Sequence, residues 1–313
     1  MKKTKWLWLG FAVSALASAV IQIVSALTAL EPGEFYFKIN SPLPTLAVLL
    51  ALLSAAMGSL AAWRTDRNSL AASPFPKGST FSPVVLGFLV AAIAIPLVNH
   101  NKTNPDIART ATVFLAVSVL YSLLVGFSKC RKHAGLMTLL GFAPVIACVA
   151  LITYYYFDVS VEMNAPLKTA LQTALLFAVL CYTGELRYLL DRPMPRLYLA
   201  LSAWTVSIGA LSALSLPIAF FAGKIDRLDY AAGGILVFGI VMTVGTRMYT
   251  LITGSPNKPL SPTEETEELS PKAQEEAADA EEETVAPIPK TILRLSNTER
   301  NRHERQYTHP MAA

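Results

Sequence analysis

The chain has 313 residues, 53% of them hydrophobic and 15% charged, with a mean hydropathy of +0.45. Soluble domains carry about a quarter charged residues, so this balance excludes an ordinary soluble domain and points to a bilayer. The formal charge of +4 is unevenly spread: residues 1–253 hold 19 bases against 10 acids, residues 254–313 hold 7 against 12, and no compact basic face for nucleic acid emerges.

The N-terminus opens with Lys2, Lys3 and Lys5, then an uncharged run from Trp6 to Leu30. The opening resembles a secretory signal with Ala15-Leu16-Ala17 as a cleavage site. The run is nevertheless long enough to span a bilayer, which predicts an uncleaved first helix. Seven further apolar runs follow, at Leu43–Trp63, Ser82–Asn99, Ile107–Phe127, Ala134–Phe157, Ala165–Gly184, Leu197–Ala222 and Asp229–Thr253. Pro96, Pro144 and Pro217 lie inside runs, where a missing N–H predicts kinks. Small pairs such as Ser54 and Gly58, Gly87 and Ala91, and Gly209 and Ala213 suit close helix contacts.

Lysines and arginines cluster in alternate loops. Lys2, Lys3, Lys5, Arg64, Arg67, Lys77, Lys129, Arg131, Lys132, Arg187, Arg192, Arg196, Arg247 and Lys258 fall on one side, and Lys38, Lys102, Arg109, Lys168, Lys224 and Arg227 on the other. The positive-inside rule makes the first side cytoplasmic, and eight spans then put both termini there.

The fifth run ends in Tyr154-Tyr155-Tyr156-Phe157, followed by Asp158, Glu162 and the opening Asn164-Ala165-Pro166-Leu167-Lys168-Thr169 of the sixth. Aromatic rings suit the headgroup level. Asn164 is expected to cap the sixth helix, with Pro166 in its first turn. Asp158, Glu162, Asn164 and Lys168 are the candidate outer-loop ligand site. An interfacial anchor with solvated acids instead makes Asp158→Asn and Glu162→Gln nearly silent. Phe35-Tyr36-Phe37 and Asn40-Ser41-Pro42-Leu43-Pro44-Thr45 repeat the pattern before the second run. The likeness points to one helical hairpin used four times; the shared need for an aromatic belt and a helix start also accounts for it.

No run carries an Asp, Glu, Lys, Arg or His away from its ends, which argues against proton-coupled transport and intramembrane carboxylate catalysis. Gln172 is the main polar exception, expected to bond a neighbouring helix as an intramembrane polar contact. The outer acids Glu31, Glu34, Asp106, Asp158, Glu162, Asp226 and Asp229 would make a cation-binding mouth if they gathered, and solvated loop charges if they did not. On the inner side, Glu185 with Arg187 and Asp191 with Arg192 read as local ion pairs, or with Arg196 as a lipid-headgroup cluster. Cys130, Cys148 and Cys181 have no metal-ligand spacing. No cofactor and no catalytic residue is predicted.

The motifs Tyr155–Asp158 and Asn164–Lys168, with Leu30-Glu31-Pro32-Gly33 in the first loop, resemble a group of polytopic membrane proteins of Gram-positive anaerobic bacteria. Pro44, where Lys168 would align, departs from the motif. No activity attaches to that group, so the resemblance implies a membrane location and carries over no functional residue.

Residues 254–313 are a different material: glutamate pairs and a glutamate triplet, then a basic end with Lys290, Arg294, Arg300, Arg302 and Arg305. Low hydrophobicity and like charge predict a disordered cytoplasmic tail. Together these features predict an all-α, eight-span transmembrane bundle at 1–253 and a tail at 254–313, in a bacterial plasma membrane. The role expected is a non-enzymatic scaffold or sensor whose partners are the lipid bilayer and, through the tail, a protein. The rival is a carrier or transporter subunit for a neutral or lipidic solute.

Overall fold

A computed structural model describes residues 2–75, 82–99, 105–127 and 133–254. The chain divides into two units, Met1–Asn257 and Lys258–Ala313. The described residues all lie in the first; the predicted tail, apart from Gly254, lies outside them, as does Cys130.

The protein is an all-α polytopic membrane bundle. Its described helices are α1 (Lys2–Thr28), α2 (Leu43–Arg64), α3 (Val84–Asn99), α4 (Pro105–Gly126), α5 (Ala134–Tyr156), α6 (Pro166–Leu189), α7 (Pro195–Ala213), α8 (Ser215–Phe221) and α9 (Leu228–Thr253). Counting α7 and α8 as one pass, seven are long and apolar enough to cross a bilayer. The eighth pass, α3, has 16 residues, about 24 Å, and is shorter than a typical hydrocarbon core.

The interior mixes large apolar side chains such as Phe88, Leu115 and Leu151 with small and polar ones, and α1 shows the sharpest division. On α1, Leu9, Val13, Leu16, Val20, Val24 and Leu27 are exposed, while Ser14, Ser18, Gln22 and Ser25 are buried on the opposite stripe. A helix in water would do the reverse; lipid removes the gain from burying leucine, so packing selects residues that let backbones approach. Across α1, α2 and α7, Ser54 donates to the Phe11 carbonyl at 3.0 Å and Ser207 to Ser54 Oγ at 2.9 Å.

Consecutive passes pack as hairpins, α1 on α2, α3 on α4, α5 on α6, and α7–α8 on α9. Helix α7 is the hub, touching α1, α2, α6, α8 and α9. Loops gather at two ends. At the proximal end, where α1 begins, Ala71 N donates to Leu251 O and Arg196 Nε to Thr65 O. At the distal end, Gly33 N donates to Lys224 O, and Leu30 pairs with Phe37 in a short antiparallel bridge.

The prolines inside runs and the end of the sixth run take the following forms. The chain breaks at Leu214, between α7 and α8, three residues before Pro217. Pro217 has no N–H for the Ala213 carbonyl and its ring crowds that carbonyl, so α7 stops at Ala213. Pro96 and Pro144 stay inside continuous helices. Helix α6 runs five residues past the predicted Gly184. It ends with Asp191 at φ 54° and Arg192 N bonded to Arg187 O, a left-handed cap that glycine usually supplies.

Helices α3 and α9 meet backbone to backbone. A Cβ at Gly87 would lie 2.8 Å from Leu236 Cα, and one at Gly239 2.9 Å from Val84 Cα. Gly87→Ala is therefore expected to cost about 1–3 kcal/mol through overpacking against a backbone that cannot swing aside. Gly245→Ala, with open space around its Cβ, should be neutral or gain up to about 1 kcal/mol from helix propensity. Unfolding of both variants in detergent checks the contrast; equal effects would contradict this packing.

Candidate functional site

The structure buries ionisable side chains in two clusters, one near each end of the same helices. At the distal end, the fifth pass ends in Tyr154-Tyr155, and the turn after it places Asp158 against the start of α9. Asp158 and Asp229 are buried on either side of the Arg227 guanidinium, whose Nη2 lies 2.7 Å from an oxygen of each. Arg227 Nε reaches Asp229 Oδ1 at 3.0 Å, Nη1 reaches Ser160 Oγ, and the guanidinium covers the Tyr230 ring at 5.2 Å. Three tyrosines close the cluster: Tyr154 donates to Asp229 Oδ2 (3.0 Å), Tyr155 to the Asp229 carbonyl (2.9 Å) and Tyr230 to Asp158 Oδ2 (3.1 Å). Lys168, one turn into α6, is buried too. Its Nζ donates to the carbonyls of Asp158 and Val161, both at 2.8 Å.

Two acids and two bases balance, which is what lets Asp158, Asp229 and Lys168 sit out of water beside a half-buried Arg227. Burial would by itself raise the Asp158 carboxyl. The Ser160 bonds and the Arg227 charge outweigh it and hold the group below its ordinary value. For Arg227 burial acts downward, and the two carboxylates turn the balance upward.

This geometry splits the predicted outer-loop site. Asp158 and Lys168 are internal and meet their partners within the protein. Glu162 and Asn164 stay at the surface and receive the Tyr36 hydroxyl from the first loop, Glu162 Oε2 at 2.7 Å. That carboxylate holds the Tyr36 phenol above its ordinary value, chiefly through the hydrogen bond. Asn164 makes no helix cap; the cap position belongs to Ala165, without a side-chain bond, and Pro166 opens the helix as expected. In the first hairpin the cap position is Pro42, one residue later in the shared motif. Asn164→Ala and Asn164→Ser should therefore agree within about 0.5 kcal/mol, since neither loses a cap. A serine rescue seen in thermal unfolding would restore the capping role.

Among the described residues no three His, Cys, Asp or Glu gather as metal ligands, so of the two alternatives for the outer acids a cation mouth does not form. Asp158 and Asp229 take a guanidinium instead, and Asp106 meets exposed Arg109 at 3.6 Å.

At the proximal end, Glu185 on α6 and Arg247 on α9 form a buried ion pair. This replaces the local pairing of Glu185 with Arg187. Glu185 Oε1 also accepts from Tyr198 at 3.0 Å, and Arg247 stacks over the Phe75 ring at 5.2 Å. Glu185 Oε2 and the hydroxyls of Tyr182 and Tyr188 are buried without a hydrogen-bond partner. Gln172, expected to bond a neighbouring helix, leaves its Nε2 without a partner, as Gln22 on α1 does its Oε1.

Both clusters draw on α6 and α9. Lys168 and Glu185 stand about 26 Å apart along α6, and Asp229 and Arg247 about 27 Å apart along α9, at 1.5 Å per residue. Helix α6 is basic distally and acidic proximally; α9 is the reverse. Sliding α9 by a turn would break Arg227 from Asp158 and Arg247 from Glu185 at once. Sequence alone assigns Arg227, Asp229, Glu185 and Arg247 to loop charge or local pairing because each stands at or near the edge of an apolar run, where that is the simpler assignment. A signal was present in their opposite signs at matching depth on two helices. Comparison with protein-family models, with curated proteins and with solved structures finds no match to this chain.

Proposed function

We propose that the protein is a non-enzymatic component of a bacterial plasma membrane that scaffolds or senses, with the proximal end cytoplasmic. The observation that carries this reading is the pair of buried charge clusters. Proximally Glu185 and Arg247 tie α6 to α9, and distally Arg227 ties the start of α9 to Asp158 in the turn between α5 and α6, so the bundle presents one distal loop surface in one arrangement. The basic proximal residues Arg64, Arg67, Arg187, Arg192 and Arg196 support the orientation through the positive-inside rule. The tail at 254–313 then lies in the cytoplasm as the partner-binding end.

The break at Leu214 supports a second reading, a carrier for a neutral or lipidic solute, because discontinuous helices line the sites of many carriers. The unpartnered Gln22 Oε1 and Gln172 Nε2 add polar groups for such a solute. In that case the two ion clusters would open alternately.

Spin labels at Val159 and Phe221, both exposed at the distal end, distinguish the readings in lipid nanodiscs. A single narrow distance distribution, unchanged by added solutes, is expected for the scaffold. Two populations whose ratio follows a solute would replace it with the carrier.

A further inference from the structure

A cleft of about 290 Å³ opens at the proximal end between the start of α3 and the ends of α4 and α9, with Phe75, Ser82, Val125, Thr246, Arg247 and Tyr249 among its lining. We propose that it holds the phosphate-bearing headgroup of an anionic phospholipid, with Arg247 as the phosphate ligand.

Three observations converge on that occupant. The first is the buried cation. Arg247 is 4% exposed yet lines the cleft, and its Nη1 is turned to Glu185. A guanidinium has five N–H donors in a rigid fork, so it can hold a carboxylate at one edge and a phosphate at another. Glu185 and the Phe75 ring fix the fork's orientation, which spares a bound phosphate the entropy of ordering a long side chain. The second is depth. Arg247 lies about 9 Å from the end of α9, and exposed Trp6, Trp63 and Tyr249 ring the same end, as aromatics do at the headgroup level. The third is charge. Arg64, Arg67, Arg187, Arg192 and Arg196 surround the proximal end, against Asp66 and Asp191 at its surface. Such a surface concentrates anionic lipid, and basic pockets between spans on the cytoplasmic side suit its headgroups. The apolar walls, Val125 and Phe75, suit the first carbons of a lipid better than a free anion.

The test uses the full chain in detergent micelles and native mass spectrometry, with phosphatidylglycerol, phosphatidylcholine of the same acyl chains, and inorganic phosphate as probes. Phosphatidylglycerol should bind at least about tenfold more tightly than the other two, as expected for a charge-assisted pair. Thr246→Phe, which adds a ring to the cleft lining and keeps Glu185 and Arg247 in the chain, should abolish that preference, and Arg247→Lys should weaken it. A phosphatidylglycerol with a photoreactive group beside its headgroup should label peptides containing Val125 or Tyr249 in the unmodified protein, whatever the variants' stability. Equal binding of phosphatidylcholine or of inorganic phosphate overturns the proposal, as does labelling confined to other peptides.

Discussion

Arg227→Ala is expected to destabilise the membrane domain by about 3–5 kcal/mol, the usual cost of leaving a buried charge without its partner. Removing the guanidinium leaves the Asp158 and Asp229 carboxylates facing one another, the second fully buried. Arg227→Lys should recover only part of the loss, because one ammonium cannot reach Asp158, Asp229 and Ser160 together. Asp158→Asn should also be costly, by about 1–3 kcal/mol, since it keeps the volume but removes the charge and turns one of the two accepting oxygens into a donor that faces either Ser160 or Arg227 and Tyr230. This reverses the near-silent outcome that a solvated loop acid would give. Thermal unfolding of the full chain in detergent reads all three; an Arg227→Ala protein that melts like the parent would show that the cluster contributes nothing.

The pH dependence carries a sign. Asp158 is held below its ordinary value in the fold, so its contribution is fully present above the unfolded carboxylate range near about pH 4. It is lost as pH falls through the lower folded value. Asp158→Asn should flatten that acid limb and leave stability above neutral pH sloping as before.

Glu185→Ala should cost a similar amount, about 3–5 kcal/mol, by stranding Arg247 inside the bundle. The larger consequence lies in the double variant. Glu185→Gln with Arg247→Met removes both charges at near-constant volume and should recover most of the loss, because neither desolvated ion remains. The Tyr198 hydroxyl keeps an acceptor in that variant, since Glu185→Gln retains a side-chain carbonyl oxygen where the carboxylate stood. A double-mutant cycle on unfolding free energies should therefore show strong coupling. Additive single effects would mean that Glu185 and Arg247 do not act as a pair.

Much of the architecture follows from local sequence. Eight apolar stretches, each too long and too free of charge for a soluble loop, specify eight membrane passes, because an unpaired backbone in lipid must become helix. The positions of Pro166 and Pro195 set helix starts for the same local reason, a first-turn residue whose N–H has no intrahelical partner. What the sequence left open is the fate of every group whose environment depends on a distant neighbour. Asp158 reads as a solvated acid until α9 brings Arg227 and Tyr230 beside it, 69 and 72 residues away. Asn164 reads as a cap until Tyr36, 128 residues away, takes its oxygen. Glu185 and Arg247 read as edge charges until packing buries them together. Hydropathy sums over one helix and decides whether it enters the membrane; which side chains lose their water is a property of pairs of helices, so only the tertiary structure decides it.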